Sequence, residues 1–293
     1  MAPHTLTRMT MDVEPRPPRT AADLFRLDGA TALVTGGTGV LGGESAVALA
    51  AAGARVAVLG RDAARAEQVR RRIKETGGHA LVLLADVRNP GQLQAAREKL
   101  EDTWGALDIL INAAGGHVPG AITSPEQAFA DLPQEALRGV VDLNLLGTVL
   151  PTQVFASMLT ALGGGPATAS VINFSSMTAS RAVSRVLGYG AAKAAVENFT
   201  RWLAQDLARA PRPVRVNAIA PGFFVADTNR SLLVDGDVPT SRGRQILDRT
   251  PMGRFGLPHE LVGTVVYLAG AASGFVTGTV IAVDGGFSSW SGV

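Results

Sequence analysis

From about residue 25 the chain alternates between two kinds of hydrophobic pattern. Short, almost continuous apolar runs occur at 31–34, 55–59, 80–85, 107–111, 171–174, 214–219 and 280–283. Longer stretches with helical spacing of apolar positions begin near Leu41, Ala63, Pro90, Gln134, Gly190 and Pro258. Runs such as Val56-Ala57-Val58-Leu59 and Ile109-Leu110-Ile111 show no polar alternation, as expected of strands buried on both faces. Strand-then-helix repetition of this kind predicts an α/β fold: a doubly wound parallel sheet of about seven strands with helices on both faces. Ligands of such sheets bind outside the carboxyl ends of the strands.

Two segments exceed the short connections of that pattern, 113–133 and 221–255, and are read as substrate loops. Residues 1–24 carry several prolines and no hydrophobic centre of the secretory kind, so they are read as a flexible leader, with 25–293 as one catalytic domain and a cytoplasmic location. Composition narrows the partners. With 27 basic and 25 acidic residues the net charge is only +2, which gives no basis for binding nucleic acid. The chain has no cysteine and its 4 histidines lack paired spacing, which argues against a metal centre. Glycines, prolines and charges interrupt every apolar run before it reaches membrane-spanning length, so no membrane partner is expected.

The chemistry-bearing motifs sit where the alternation changes. After the first strand comes Thr35-Gly36-Gly37-Thr38-Gly39-Val40-Leu41-Gly42-Gly43 and then a helix, so backbone amides and the helix start can meet a pyrophosphate, with Gly36, Thr38, Gly39, Val40 and Leu41 as contacts. About 20 residues further on, an acidic residue would hold a ribose hydroxyl. The second strand instead ends Leu59-Gly60-Arg61-Asp62, and Arg61 suits a 2′-phosphate, which favours NADP(H) over NAD(H). Tyr189 and Lys193 lie one helical turn apart; a cation beside a phenol favours the phenolate and makes a proton donor and acceptor of it.

In this order the motifs resemble the short-chain dehydrogenase/reductase family, whose fold is Rossmann-type, over residues 27 to 293. The resemblance implies that Asp86 and Val87, after the third strand, meet the adenine. Asn112, Ala113 and Gly115 would border the cofactor, and Pro221 and Gly222 would border the nicotinamide. The resemblance also makes Asn144, Ser176, Tyr189 and Lys193 the catalytic set, with Tyr189 and Lys193 touching the cofactor as well. The family's glycine pattern has glycine where Val40 stands.

Longer stretches, among them Leu143 to Phe155, Thr250 to Gly256 and Val283 to Ser288, resemble the D-mannonate oxidoreductase (fructuronate reductase) branch. At His117 and Thr178 that branch has asparagine. A sugar-acid substrate needs a cation and polar partners, for which His117, Ser176, Thr178, Arg181, Asn229 and Arg230 are the candidates. Reductases of other polyols, keto acids or ketones fit the same motifs, and so does a dinucleotide-binding sensor or scaffold. The family is usually a homotetramer paired through the helices of Asn144 and Tyr189.

Overall fold

The computed structural model describes residues 20–161, 168–226 and 229–291. Its centre is a parallel sheet of 7 strands in the spatial order β3-β2-β1-β4-β5-β6-β9. These are β1 (Thr31–Thr35), β2 (Arg55–Gly60), β3 (Ala80–Leu84), β4 (Ile109–Asn112), β5 (Ala169–Phe174), β6 (Val214–Pro221) and β9 (Val280–Val283). Between β6 and β9 a two-stranded hairpin, β7 (Val234–Asp235) and β8 (Val238–Pro239), lies apart from the sheet. The strand order reverses between β1 and β4, opening a crevice at their carboxyl ends.

Side chains alternate between two cores because successive strand residues face opposite sides. Ala32, Val34, Val56, Val58, Ile109 and Ile111 face α1 (Val40–Ala51), α2 (Ala63–Glu75) and α9 (Val262–Ala269). Leu33, Ala57, Leu59 and Leu110 face α3 (Pro90–Trp104), α5 (Gly147–Thr160) and α6 (Leu187–Leu207). Asn89 caps α3 by accepting the Gln92 amide, with Pro90 in the first turn.

Three features depart from the sequence expectations. Residues 20–24 are ordered rather than part of a leader: Thr20 bonds the Asp23 carboxylate, Ala22–Phe25 forms a 3₁₀ turn, and Phe25 packs near Tyr267. The rest of the expected leader, 1–19, lies outside the described residues. The second excursion is folded, carrying α7 (Arg230–Leu233), the hairpin and α8 (Ser241–Leu247). Finally, α4 (Gln134–Val141) runs through a π turn at Asp142–Leu146 into α5, and the whole of Gln134–Thr160 is long and apolar enough to cross a membrane by length and composition. Here it packs on the sheet through Phe155, Met158 and Leu159, with Asn144, Thr148 and Thr152 buried among polar partners.

Candidate active site

The crevice starts at the turn after β1. Gly36 has φ +63°, and a Cβ there would stand 2.6 Å from the Ala114 nitrogen, so only glycine lets the turns after β1 and β4 abut. Helix α1 begins at Gly39, which supplies no side-chain cap, leaving first-turn amides available to an anion. Gly36, Gly39, Val40, Leu41 and Gly42 line a cavity of about 240 Å³ together with Ser176, Tyr189, Lys193, Pro221 and Gly222. A second cavity of about 210 Å³, lined by Thr38, Gly60, Arg61, Asp86 and Val87, shares Gly36, Gly39, Arg65, Ala113 and Gly115 with the first. The two lobes form one elongated crevice across the switch point.

In the inner lobe, Tyr189 and Lys193 lie within α6, which begins at Leu187, three residues before the position expected from sequence. Burial pushes the Tyr189 phenol above its usual range and a hydrogen bond with Ser176 pulls it back. Lys193 is 3% exposed, and burial brings its ammonium down to about 8. Its Nζ donates to the Phe174 carbonyl at 2.7 Å and stands 5.7 Å from the Tyr189 ring centre. Desolvation is the largest influence on the Tyr189 phenol and raises it, so the lowering expected from Lys193 does not by itself decide the resting state of the phenol. Ser176 also receives the Thr178 amide at 3.2 Å, which orients its hydroxyl.

Asn144 sits in the π turn, fully buried. Its amide donates to the carbonyls of Gly116 at 2.8 Å and Val140 at 2.9 Å, while its Oδ1 accepts the Gly116 amide at 3.0 Å. From this turn the side chain bridges the segment after β4 and the last turn of α4. The result is a phenol, a hydroxyl and an ammonium at one end of a crevice whose other parts suit a dinucleotide.

Residues 39–288 match the sequence profile described as enoyl-(acyl carrier protein) reductase. The chain belongs to the short-chain dehydrogenase/reductase family. An oxidoreductase of Bacillus subtilis named UxuB, itself uncharacterized, is 43% identical over 277 residues, covering 91% of this chain and 98% of that one. A Haemophilus influenza structure provisionally described as a D-mannonate oxidoreductase, with bound NAD, is 40% identical with a TM-score of 0.85, over 94% of this chain and 100% of that one. A gluconate 5-dehydrogenase from Burkholderia cenocepacia, in complex with NADP and tartrate, is 34% identical with a TM-score of 0.81, over 92% and 100%.

Within this short-chain dehydrogenase/reductase the residues expected at the cofactor divide into two groups. Gly36, Thr38, Gly39, Val40, Leu41, Arg61, Asp86, Val87, Ala113, Gly115, Pro221 and Gly222 all line the crevice. Asn112 does not: it is fully buried beneath the crevice floor, donating to Thr152 and Asn173 at 2.9 Å each. It ties α5 to the sheet and holds the crevice from below. Asp86 is engaged by Arg88, whose guanidinium keeps the carboxyl well below its usual range.

At the end of β2, Asp62 caps α2 by accepting the Arg65 amide, so its carboxylate is committed there. No side chain fits at Gly60, because a Cβ would lie 2.5 Å from the Thr38 methyl. Arg61 and Arg65 line this end of the crevice together with Asp86, Arg61 standing 3.8 Å from the Asp86 carboxylate and Arg65 3.6 Å from that of Asp62.

The expected substrate residues are scattered. His117 packs on Tyr189 with ring centroids 4.9 Å apart, and burial together with the Arg242 charge lowers its pKa, favouring the neutral ring. Asn229 lines the inner lobe, but its amide bonds the Phe224 carbonyl and its Oδ1 accepts the Ala226 amide, so it shapes the wall. Thr178 contributes its backbone to Ser176, and its hydroxyl is buried without a partner. Arg181 turns away to the Ser288 carbonyl at 2.8 Å, and Arg230 is exposed at the start of α7, outside the residues that line the crevice.

The sequence reading passed over Arg242. It lies on α8, half-buried and, like Arg230, outside the residues that line the crevice, with Nη1 donating to Ser184 Oγ at 3.0 Å and Nη2 to the Ser184 carbonyl at 3.1 Å; its charge reaches the crevice at His117. Asp235-Gly236 between short apolar runs is a hairpin signal, and Thr240 is a helix cap that accepts the Gly243 amide. Together they would have placed Arg242 on a structured element.

Proposed function

We propose that this enzyme moves hydride between a nicotinamide cofactor and the carbonyl or hydroxyl carbon of a sugar acid, with D-fructuronate and D-mannonate as the pair that suits it best. The observation that carries the reading is the convergence of Ser176, Tyr189 and Lys193 at one end of the two-lobed crevice. The D-mannonate and gluconate enzymes among its relatives support the sugar-acid class. When bound, the nicotinamide supplies hydride to the carbonyl carbon or takes it from the alcohol carbon. The amides at the start of α1 and the turn after β1 would hold the pyrophosphate.

In the reducing direction Ser176 donates a hydrogen bond to the carbonyl oxygen and fixes its angle. Tyr189, protonated at neutral pH, gives its proton to that oxygen as negative charge develops there. The Lys193 ammonium, one turn along, stabilises the phenolate left behind. In oxidation the same oxygen atoms exchange the proton in reverse. Asn144 keeps the segment after β4 in place beside the reacting end. At the adenosine end, Arg61 and Arg65 with no free carboxylate at the end of β2 favour NADP(H).

Val141, Leu146, Leu187 and Trp202 are exposed on the helices of Asn144 and Tyr189, which supports pairing of copies through these helices into the family's tetramer; light scattering of the purified chain tests it. Steady-state kinetics with D-fructuronate and either cofactor tests the activity.

A further inference from the structure

Three segments meet at Ser184 and Arg185, in the connection between Ser176 and Tyr189. The first excursion reaches it through the Thr123 amide, which donates to the Arg185 carbonyl at 3.1 Å. The second reaches it through Arg242, whose guanidinium spans the Ser184 hydroxyl and carbonyl. Arg185 itself has φ +77°, the one left-handed non-glycine backbone among the described residues. Such a conformation is unfavourable for a residue with a Cβ and persists where surrounding contacts fix it.

The junction concentrates positive charge without balancing it. Among the described residues no carboxylate stands within ion-pair distance of Arg242 or Arg185. Glu126 feels the Arg185 charge, but its carboxylate is engaged by the Ser124 hydroxyl at 2.8 Å. Burial and the Arg185 charge both oppose the charge on Arg242, which in turn is felt at His117, the ring packed at a tilt on Tyr189. Two of the five guanidinium donors of Arg242 are used by Ser184, leaving the rest for a planar oxyanion. An uncharged ligand would leave these opposing charges uncompensated.

We infer that Arg242, with Arg185 beside it, holds the carboxylate of the substrate, while the reacting carbonyl lies inward at Tyr189 and Ser176. This rests on the sugar-acid reading and adds the residue that enforces it. The chemistry fits, since in D-fructuronate a run of hydroxyl-bearing carbons separates carbonyl from carboxylate.

The test is calorimetric titration of D-mannonate and of D-mannitol into the full chain with NADPH bound, for wild type, Arg242→Gln, Arg242→Lys and Arg185→Gln, with thermal unfolding to show that each variant is folded. The wild type should prefer mannonate. Arg242→Gln should lose that preference by about tenfold or more, and Arg242→Lys should regain part of it, because an ammonium keeps the charge but not the fork. Arg185→Gln should weaken mannonate selectively and by less. Equal weakening of both ligands would show that Arg242 only holds Ser184 in place, and unchanged mannonate affinity would remove it from the site; either overturns the inference. Should the wild type bind mannonate through Arg242 yet reduce only neutral carbonyls, the sugar-acid activity fails while the anion site stands. A wild type indifferent to mannonate contradicts both.

Discussion

Lys193 donates its Nζ hydrogen to the Phe174 carbonyl at 2.7 Å, while burial raises the Tyr189 phenol, one turn earlier on α6, above its usual range. The ammonium is thereby anchored to the end of β5, next to Ser175 and Ser176, and acts on the tyrosine through space. In the proposed reaction this division makes Tyr189 the acid and Lys193 the charge that accommodates its loss of a proton.

Tyr189→Phe should therefore abolish proton delivery while keeping the packing against His117. Turnover should fall by on the order of a thousandfold or more, with cofactor affinity, read from nicotinamide fluorescence, close to wild type. A fall of less than about tenfold would assign the proton to another group.

Burial sets a pH dependence through Lys193, whose ammonium titrates at about 8 against an ordinary 10.5. Carbonyl reduction should decline as pH rises through that value, because the charge that stabilises the phenolate is lost. The effect on stability has the opposite sign. Between about 8 and 10.5 the unfolded chain binds more protons at this lysine than the folded one, so this residue makes stability rise with pH there. Urea denaturation across that window should show a rise in wild type that Lys193→Met lacks, and parallel curves would mean that Lys193 is not strained by burial.

Arg61 is the residue by which the proposed preference for NADP(H) is tested. Its guanidinium lines the adenosine lobe, 3.8 Å from Asp86, at a strand end without a free carboxylate. Arg61→Ala should raise the KM for NADPH by about tenfold and change that for NADH little. Equal effects on both would leave Arg61 a solvated surface charge.

A buried polar ladder connects the helices of the site. Thr148 donates to the Asn144 carbonyl, Thr152 to that of Thr148, Asn112 to Thr152 and Asn173, and Asn173 to Thr200 on α6. Asn112→Ala leaves the Asn173 carbonyl oxygen without this donor in a dry interior and should cost about 1–3 kcal/mol in urea denaturation. A loss below about 0.5 kcal/mol would mean that water replaces the amide.

Much of this was legible in the chain, for identifiable reasons. Strands buried on both faces read as unbroken apolar runs, so all 7 strands of the sheet and the turn at Gly36 could be placed. Asn144 could be located only as a motif position, because the π turn that carries it leaves no mark in hydrophobic spacing. The lysine–tyrosine pair was visible at its spacing, but its electrostatics depend on a desolvation that no linear pattern records. Arg181 and Arg230 were natural candidates by proximity to motifs, whereas Arg242 reaches Ser184 across 58 residues of sequence, a relation that only the fold creates.

The most direct measurement mixes the purified protein with D-fructuronate and NADPH, or NADH, and follows nicotinamide absorbance, with the product identified by chromatography. The account predicts cofactor oxidation, formation of D-mannonate and its loss in Tyr189→Phe. Tight cofactor binding without turnover of D-fructuronate, or turnover that survives in Tyr189→Phe, would contradict it.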